Sequence, residues 1–178
     1  MEYFTQIPSI VGAITVCCDE TSVHGVWLAG QKYFARTAEE TMERKDDLPL
    51  LLEVKQWFAR YFKGENPPIT FLLAPKGKEF QQIVLSILLD IPYGQVMTYG
   101  AIAKEVAKRL GRERMSAQAV GGAVGHNPIS ILIPCHRVVG SNKSLTGYAG
   151  GIETKIKLLK LEGAFTEEYF IPAKGTAL

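Results

Sequence analysis

The apolar residues change their period near Lys76, and this switch constrains the fold more than any other feature of the chain. Before it, AITVCC and VHGVWLA are short β-branched and aromatic runs separated by the turn-forming DETS, the pattern of a β-hairpin. After the polar TAEETMERKDD, the stretch PLLLEVKQWFARYFKG places Leu50, Val54, Trp57, Phe58, Tyr61 and Phe62 near one helical face, with Asp47 as its cap and Gly64 as its stop. ENPPI interrupts the chain, TFLLA reads as a further strand and PKGK as a linker. Beyond Lys76 helical spacing takes over. Phe80, Ile83, Val84, Ile87 and Leu88 mark a helix ended by Pro92. Thr98 caps a helix to Leu110, Ser116 caps another toward Gly125, and IETKIKLLKLEG forms a last one that stops at Gly163. The expected fold class is α+β, with an N-terminal sheet-plus-helix domain over residues 1–76 and a mainly helical domain over residues 77–178. The tail from Ala164 to Leu178 carries no functional reading.

A chain of 178 residues, 47% hydrophobic, buries a core of useful size. No run approaches the roughly 20 apolar residues of a membrane span, and MEYFTQIPSIVG lacks the basic-then-apolar order of an export signal. The expectation is a cytoplasmic monomer with no membrane segment. Cys17, Cys18 and Cys135 form no disulfide framework and suit a reducing compartment. Net charge is +2, unevenly spread: 8 Lys and Arg against 10 Asp and Glu up to Lys76, then 12 against 8. The excess concentrates in KEVAKRLGRER, either a solvated helix face or the footprint of a polyanion. This basic turn joins two short helices, as in a DNA-binding helix-turn-helix and as in many helical hairpins. The second helix, in SAQAVGGAVGHN, contains Gly121 and Gly122, which each cost about 1 kcal/mol relative to alanine. Close packing against another element is one compensation. The other is a helix thin enough for a DNA groove, even the minor groove, which is about 6 Å wide.

The stretch SILIPCHRVV sets Cys135 beside His136. The pair is a nucleophile with its base, half of a metal site, or two core neighbours. Thiols react as thiolates, so a nucleophile needs a cation or base close by. Adjacent residues on a regular strand face opposite ways; a dyad therefore requires irregular backbone or a bridging water, and Pro134 gives the strand of Ile131, Leu132 and Ile133 a reason to end. His136 also needs a carboxylate to fix its tautomer, and spacing alone does not say which.

With AVGGAVGHNPI before it and GYAGG and KLLKLEG after it, IPCHRV resembles the active-site region of the O6-alkylguanine-DNA alkyltransferases. The likeness is close from Phe80 to Gly163 and rests on length and strand-then-helix order before that. It implies a ribonuclease H-like N-terminal domain and a winged-helix-like C-terminal domain with a helix-turn-helix. It implies transfer of an alkyl group from O6 of guanine, or O4 of thymine, in double-stranded DNA onto Cys135. Each molecule would act once, on a flipped base and without a cofactor. By the same resemblance His136 activates Cys135 through a water, Glu162 orients His136, and Tyr99 assists proton donation to the base and crowds the phosphate. Asn127 ties the recognition helix to the active-site strand. Arg114, Ser116, Gln118, Ala119 and Gly122 belong to the DNA-binding turn and helix. The pocket loop Leu145–Gly150 brings Gly147, Tyr148 and Ala149 beside the flipped base. Two departures stand out. Many relatives carry an arginine at the position of Gln118, where it replaces the flipped base in the stack; glutamine lacks the guanidinium's charge and plane. Some relatives hold a zinc near Cys18 and His24, but two further ligands are not evident, so no metal is expected and Cys17 and Cys18 are read as core. A non-enzymatic lesion binder would lack the reactive cysteine, and a cysteine hydrolase would need an oxyanion hole.

Overall fold

The computed structural model describes residues 1–173; Lys174–Leu178, the end of the expected second domain and of its tail, lie outside the described residues. Contacts divide the chain into two units, Met1–Lys76 with Pro128–Leu132, and Gly77–Asn127 with Ile133–Leu178.

In the first unit the hairpin is β2 (Ile14–Cys18) and β3 (Ser22–Leu28), antiparallel, with β1 (Tyr3–Ile7) antiparallel on the other side of β2. Two-residue strands close the edges, β4 (Glu43–Arg44) parallel to β1 and β5 (Leu72–Leu73) parallel to β3. The order β4-β1-β2-β3-β5 buries the whole of β2 at the centre. β1 is not among the strands expected from sequence, because YFTQI is short and only weakly alternating. Helix α1 (Pro49–Tyr61) packs Leu51, Val54, Phe58 and Tyr61 toward β1 and β2. Its cap is Leu48 and not Asp47, with no side-chain hydrogen bond; Pro49 has no N–H to satisfy and brings its φ preset for a first helical turn. Trp57 stacks on Tyr61 at 5.1 Å and donates its Nε1–H to Pro67 O at 3.0 Å, which folds the ENPPI segment back onto the helix.

The five residues Pro128–Leu132, assigned to the second domain from sequence, pack with the first unit. Val26 N–H donates to Pro128 O at 2.9 Å and Ser130 N–H to Val26 O at 3.0 Å, so this segment pairs alongside β3 in a parallel bridge between Val26 and Ile129.

The second unit is helical: α2 (Glu79–Leu89), α3 (Tyr99–Arg109), α4 (Ala117–Gly125) and α5 (Ile152–Leu161), with a two-stranded parallel pair β6 (Met97–Thr98) and β7 (Val138–Val139). Helices α2, α3 and α4 pack on one another and form the helix-turn-helix. Both expected caps are present: Thr98 Oγ1 accepts from Ala101 N–H at 3.1 Å and Ser116 Oγ from Ala119 N–H at 3.3 Å. The turn between α3 and α4 needs a left-handed residue, which Gly111 supplies at φ +64°. Among the described residues no helix is long and apolar enough to cross a membrane.

Phe58 is fully buried under the sheet. Phe58→Ala is expected to lower the unfolding free energy by about 3–5 kcal/mol in urea titration; a loss within experimental error would mean that α1 is not a structural wall of this unit.

Candidate active site

The active segment is a sequence of tight turns and not the strand expected for Ile131–Ile133. Leu132 N–H donates to Ser130 O at 2.8 Å across Ile131, whose φ of +69° is rare for a β-branched residue. Cys135 N–H donates to Ile133 O at 2.8 Å across Pro134. Residues Cys135–Arg137 then form one 3₁₀ turn. The irregular backbone required for Cys135 and His136 to serve one site is therefore present.

Cys135 is 4% exposed and His136 is fully buried. His136 Nε2 lies 2.9 Å from Glu162 Oε1, one residue beyond the end of α5. Burial lowers the His136 pKa, with Glu162 opposing, so the imidazole is neutral near pH 7. A neutral ring that donates Nε2–H to a carboxylate carries its lone pair on Nδ1. That nitrogen is buried and has no hydrogen-bond partner among the described residues. It is the basic atom of the site.

Glu162 also binds Arg137, with Nε at 3.0 Å from Oε2 and Nη2 at 2.7 Å from Oε1. Burial works to raise the Glu162 pKa, but the hydrogen bonds and charges of His136 and Arg137 outweigh it and hold the carboxyl down to about 2. Arg137 Nη1 further donates to Ile91 O at 2.6 Å. Sequence reasoning missed Arg137 and also Lys155, which is fully buried and donates to Val138 O and to Thr146 O at 3.0 Å. Burial lowers the Lys155 pKa to about 8, with the Cys135 charge opposing. Its signal was available: Lys155 lies seven residues before Glu162, on a face otherwise made of Leu158 and Leu159. Burial raises the Cys135 pKa, while the Asn127 side chain, the Lys155 charge and the Tyr148 hydroxyl favour the thiolate.

Tyr99, the first residue of α3, is buried, and burial raises its phenol to about 12. It lines a pocket with Cys135, Gly121, Gly125, Gly147, Tyr148 and Ala149. That pocket measures about 10 Å³, room for a single water. Tyr99 also lines a larger open cavity of about 570 Å³, with Thr98, Gln118, Ser141 and Ser144. Asn127 Nδ2 donates to Ile133 O at 2.9 Å and links the end of α4 to the turn before Cys135. Leu145 is not in the pocket lining; it is buried with Val139 and Leu159 behind the loop. The structure places Gly150, half-buried, at the loop's far end.

On α4 the residues Ala117, Gln118, Ala119 and Gly122 are exposed together, whereas Val120, Gly121, Ala123 and Val124 are buried. A Cβ built on Gly122 would meet nothing within 4 Å, so no neighbour in the protein requires glycine there. Arg114 is exposed in the preceding turn, but Arg109 is engaged by Glu105 at 3.1 Å and Asp90 at 3.6 Å. Cys17 and Cys18 are buried on β2, and burial raises both thiols. His24 faces Glu2 at 2.8 Å and Asp19 at 3.2 Å, and Lys76 joins Glu2 at 2.9 Å. Among the described residues no three His, Cys, Asp or Glu side chains cluster as metal ligands.

A turn-held thiol, a carboxylate-fixed neutral histidine and a helix-turn-helix in one unit define a thiol-dependent enzyme class associated with DNA. Family models agree: "6-O-methylguanine DNA methyltransferase, DNA binding domain" matches residues 79–164, and the "ribonuclease-like domain" of the same family matches residues 3–75. The chain is 49% identical over 164 residues to the methylated-DNA–protein-cysteine methyltransferase of Mycobacterium tuberculosis, covering 91% of this chain and 93% of that one. It is 40% identical over 161 residues to the Haemophilus influenzae enzyme of that name, covering 90% and 86%. The crystal structure of Mycobacterium tuberculosis OGT in complex with DNA superposes with a TM-score of 0.77 at 34% identity, covering 91% of this chain and 93% of that one. The chain belongs to the 6-O-methylguanine DNA methyltransferase family.

The depressed Glu162 pKa has a defined sign in stability. Its contribution is fully present above the unfolded value of 4.5 and is lost as pH falls through about 2. Glu162→Gln is expected to be less stable at neutral pH by about 3 kcal/mol and to lose less stability than the parent between pH 4.5 and 2. Parallel acid-side denaturation curves for the two proteins would contradict this.

Proposed function

We propose that this protein repairs alkylated DNA by moving an alkyl group from O6 of guanine, and also from O4 of thymine, onto Cys135 in a single-turnover reaction. The observation that carries the reading is the buried Nδ1 lone pair of His136, fixed by Glu162, one residue from a buried thiol. The Cys135 proton passes through a water to His136 Nδ1. The thiolate then attacks the alkyl carbon, a C–S bond forms, and the C–O6 electron pair stays on the base. The base leaves as neutral guanine by taking a proton from the Tyr99 hydroxyl at the pocket. The phenoxide is reprotonated by way of water as His136 gives up the proton it took, so that on balance the thiol proton ends on the base. A thioether resists hydrolysis by a histidine and a carboxylate, so in this reading each molecule acts once.

Alkylated bases are stacked within the duplex and must be flipped to reach a buried sulfur, at a cost of a few kcal/mol. The exposed small-residue face of α4 suits close approach to a groove, with Arg114 and Ser116 near the backbone and Gln118 at the position of the departing base. Tyr148, Gly147 and Ala149 would receive the base beside Cys135.

Mass spectrometry after mixing with duplex DNA carrying O6-methylguanine tests the reading. One methyl on the Cys135 peptide is expected, saturating at one per protein and absent from Cys135→Ser. Lesion binding without mass gain would make the protein a non-enzymatic binder, and repeated turnover would exclude a suicide acceptor. Gln118→Arg is expected to speed transfer from duplex DNA several-fold by adding a stacking plane and a charge; unchanged or slower single-turnover kinetics would remove Gln118 from the flipping step.

A further inference from the structure

The pocket beside Cys135 measures about 10 Å³, less than a base needs, and Gly147–Ala149 are the part of its wall that belongs to a loop and not to a helix. The near end of that wall is held from behind by the C-terminal segment. Leu145 N–H donates to Phe170 O at 2.8 Å, and Phe170 N–H donates to Lys143 O at 3.2 Å. Ser144 and Phe170 pair as a parallel bridge, and Lys143 forms an ion pair with Glu168. Beneath these bonds Leu145 packs with Val139 and Leu159, a cluster covered by Phe165 and Tyr169. Just before the bridge, Asn142 and Lys143 sit at φ +58° and +61°. Two successive non-glycine residues in that region cost roughly 1–2 kcal/mol each, and such conformations persist where the surroundings over-determine them. The next residue is pinned as well, through Lys155 Nζ on Thr146 O. Motion of the wall is thereby confined to residues after Thr146.

Resting on the alkyl-transfer reading, we propose that Glu168–Phe170 is a specificity-determining strap. By fixing the backbone of residues 143–145 it limits how far the pocket wall opens, and so restricts the size of alkyl group that Cys135 accepts, favouring methyl over bulky groups. The bonds run through the backbone at Phe170, whose side chain is 49% exposed. Phe170→Pro therefore removes the N–H that holds Lys143 O at little cost to the core.

The test measures single-turnover transfer from duplex DNA carrying O6-methylguanine or O6-benzylguanine, with hydrogen exchange at the Leu145 amide read in parallel. In Phe170→Pro the Leu145 amide is expected to exchange faster while α3 and α4 do not. The benzyl-to-methyl rate ratio is expected to rise at least about fivefold, within the range that pocket-size discrimination spans. An unchanged ratio despite faster Leu145 exchange overturns the strap, and so does a uniform rise in exchange with both rates falling together. Should Phe170→Pro not fold, Glu168→Lys, which sets like charges at the ion pair with Lys143, has to shift the ratio in the same direction; no shift again overturns the proposal. Wild-type protein that transfers neither group overturns the alkyl-transfer reading itself, a failure distinct from transfer with an unaltered ratio.

Discussion

The Glu162 carboxylate is the interaction on which the site depends. It receives His136 at 2.9 Å and Arg137 at 2.7 Å, so it holds two successive residues of the 3₁₀ turn to the end of α5. One acceptor thereby sets the imidazole tautomer and the direction of the whole turn, and with them the position of Cys135. A charge this enclosed is tolerable only while its partners are in place, because an orphaned buried charge costs several kcal/mol. Gly163 follows at φ +70° and ends the helix there. The helix stop and the orientation of His136 are parts of one local arrangement.

Burial acts on the remaining groups in a coordinated way. It raises the Cys135 thiol and lowers Lys155 toward about 8, so it pushes both toward their neutral forms. A thiolate and an ammonium in the same enclosed region relieve each other, which makes thiolate formation easier than burial alone would allow. In the proposed reaction, alkylation turns the sulfur into a neutral thioether and removes that relief. The carbonyls of Val138 and Thr146 continue to hold Lys155, so its structural and electrostatic roles separate only after the reaction.

The helical half of the chain was the more legible part of the sequence. Thr98 and Ser116 announce their helices because a short hydroxyl side chain can satisfy an otherwise unpaired N–H, and both do. Asp47 failed as a cap because the helix starts at Pro49, which puts Leu48 at the cap position and leaves Asp47 one residue too early. Ile131 was unreadable: an apolar run suggests a strand, and nothing local reveals that tertiary bonds force a β-branched residue to φ +69°. The adjacency of Cys135 and His136 was visible, but the choice among its readings and the carboxylate came from family resemblance, since 26 positions separate His136 from Glu162. Lys155 was legible only as a lysine on the face of Leu158 and Leu159; its carbonyl partners Val138 and Thr146, like the loop amide and carbonyl bonded to Phe170, lie on distant segments that no residue pattern encodes.

In the proposed reaction, helix α4 is the element that lets a lesion in a duplex and a buried sulfur meet. Its outward face, with Gln118, Ala119 and Gly122, is exposed and nearly without side chains. Its inward face contributes Gly121 and Gly125 to the pocket that contains Cys135. Glycine in mid-helix is costly, and here each face has a separate reason for it: open surface outside, pocket volume within. A helix with larger residues on either face would hold the groove away or fill the pocket. In the proposed reaction the distance from DNA groove to acceptor thiol is thus set by the thickness of one bare helix, and the path of the flipped nucleotide runs around its N-terminal end, past Tyr99 and Gln118 in the larger cavity.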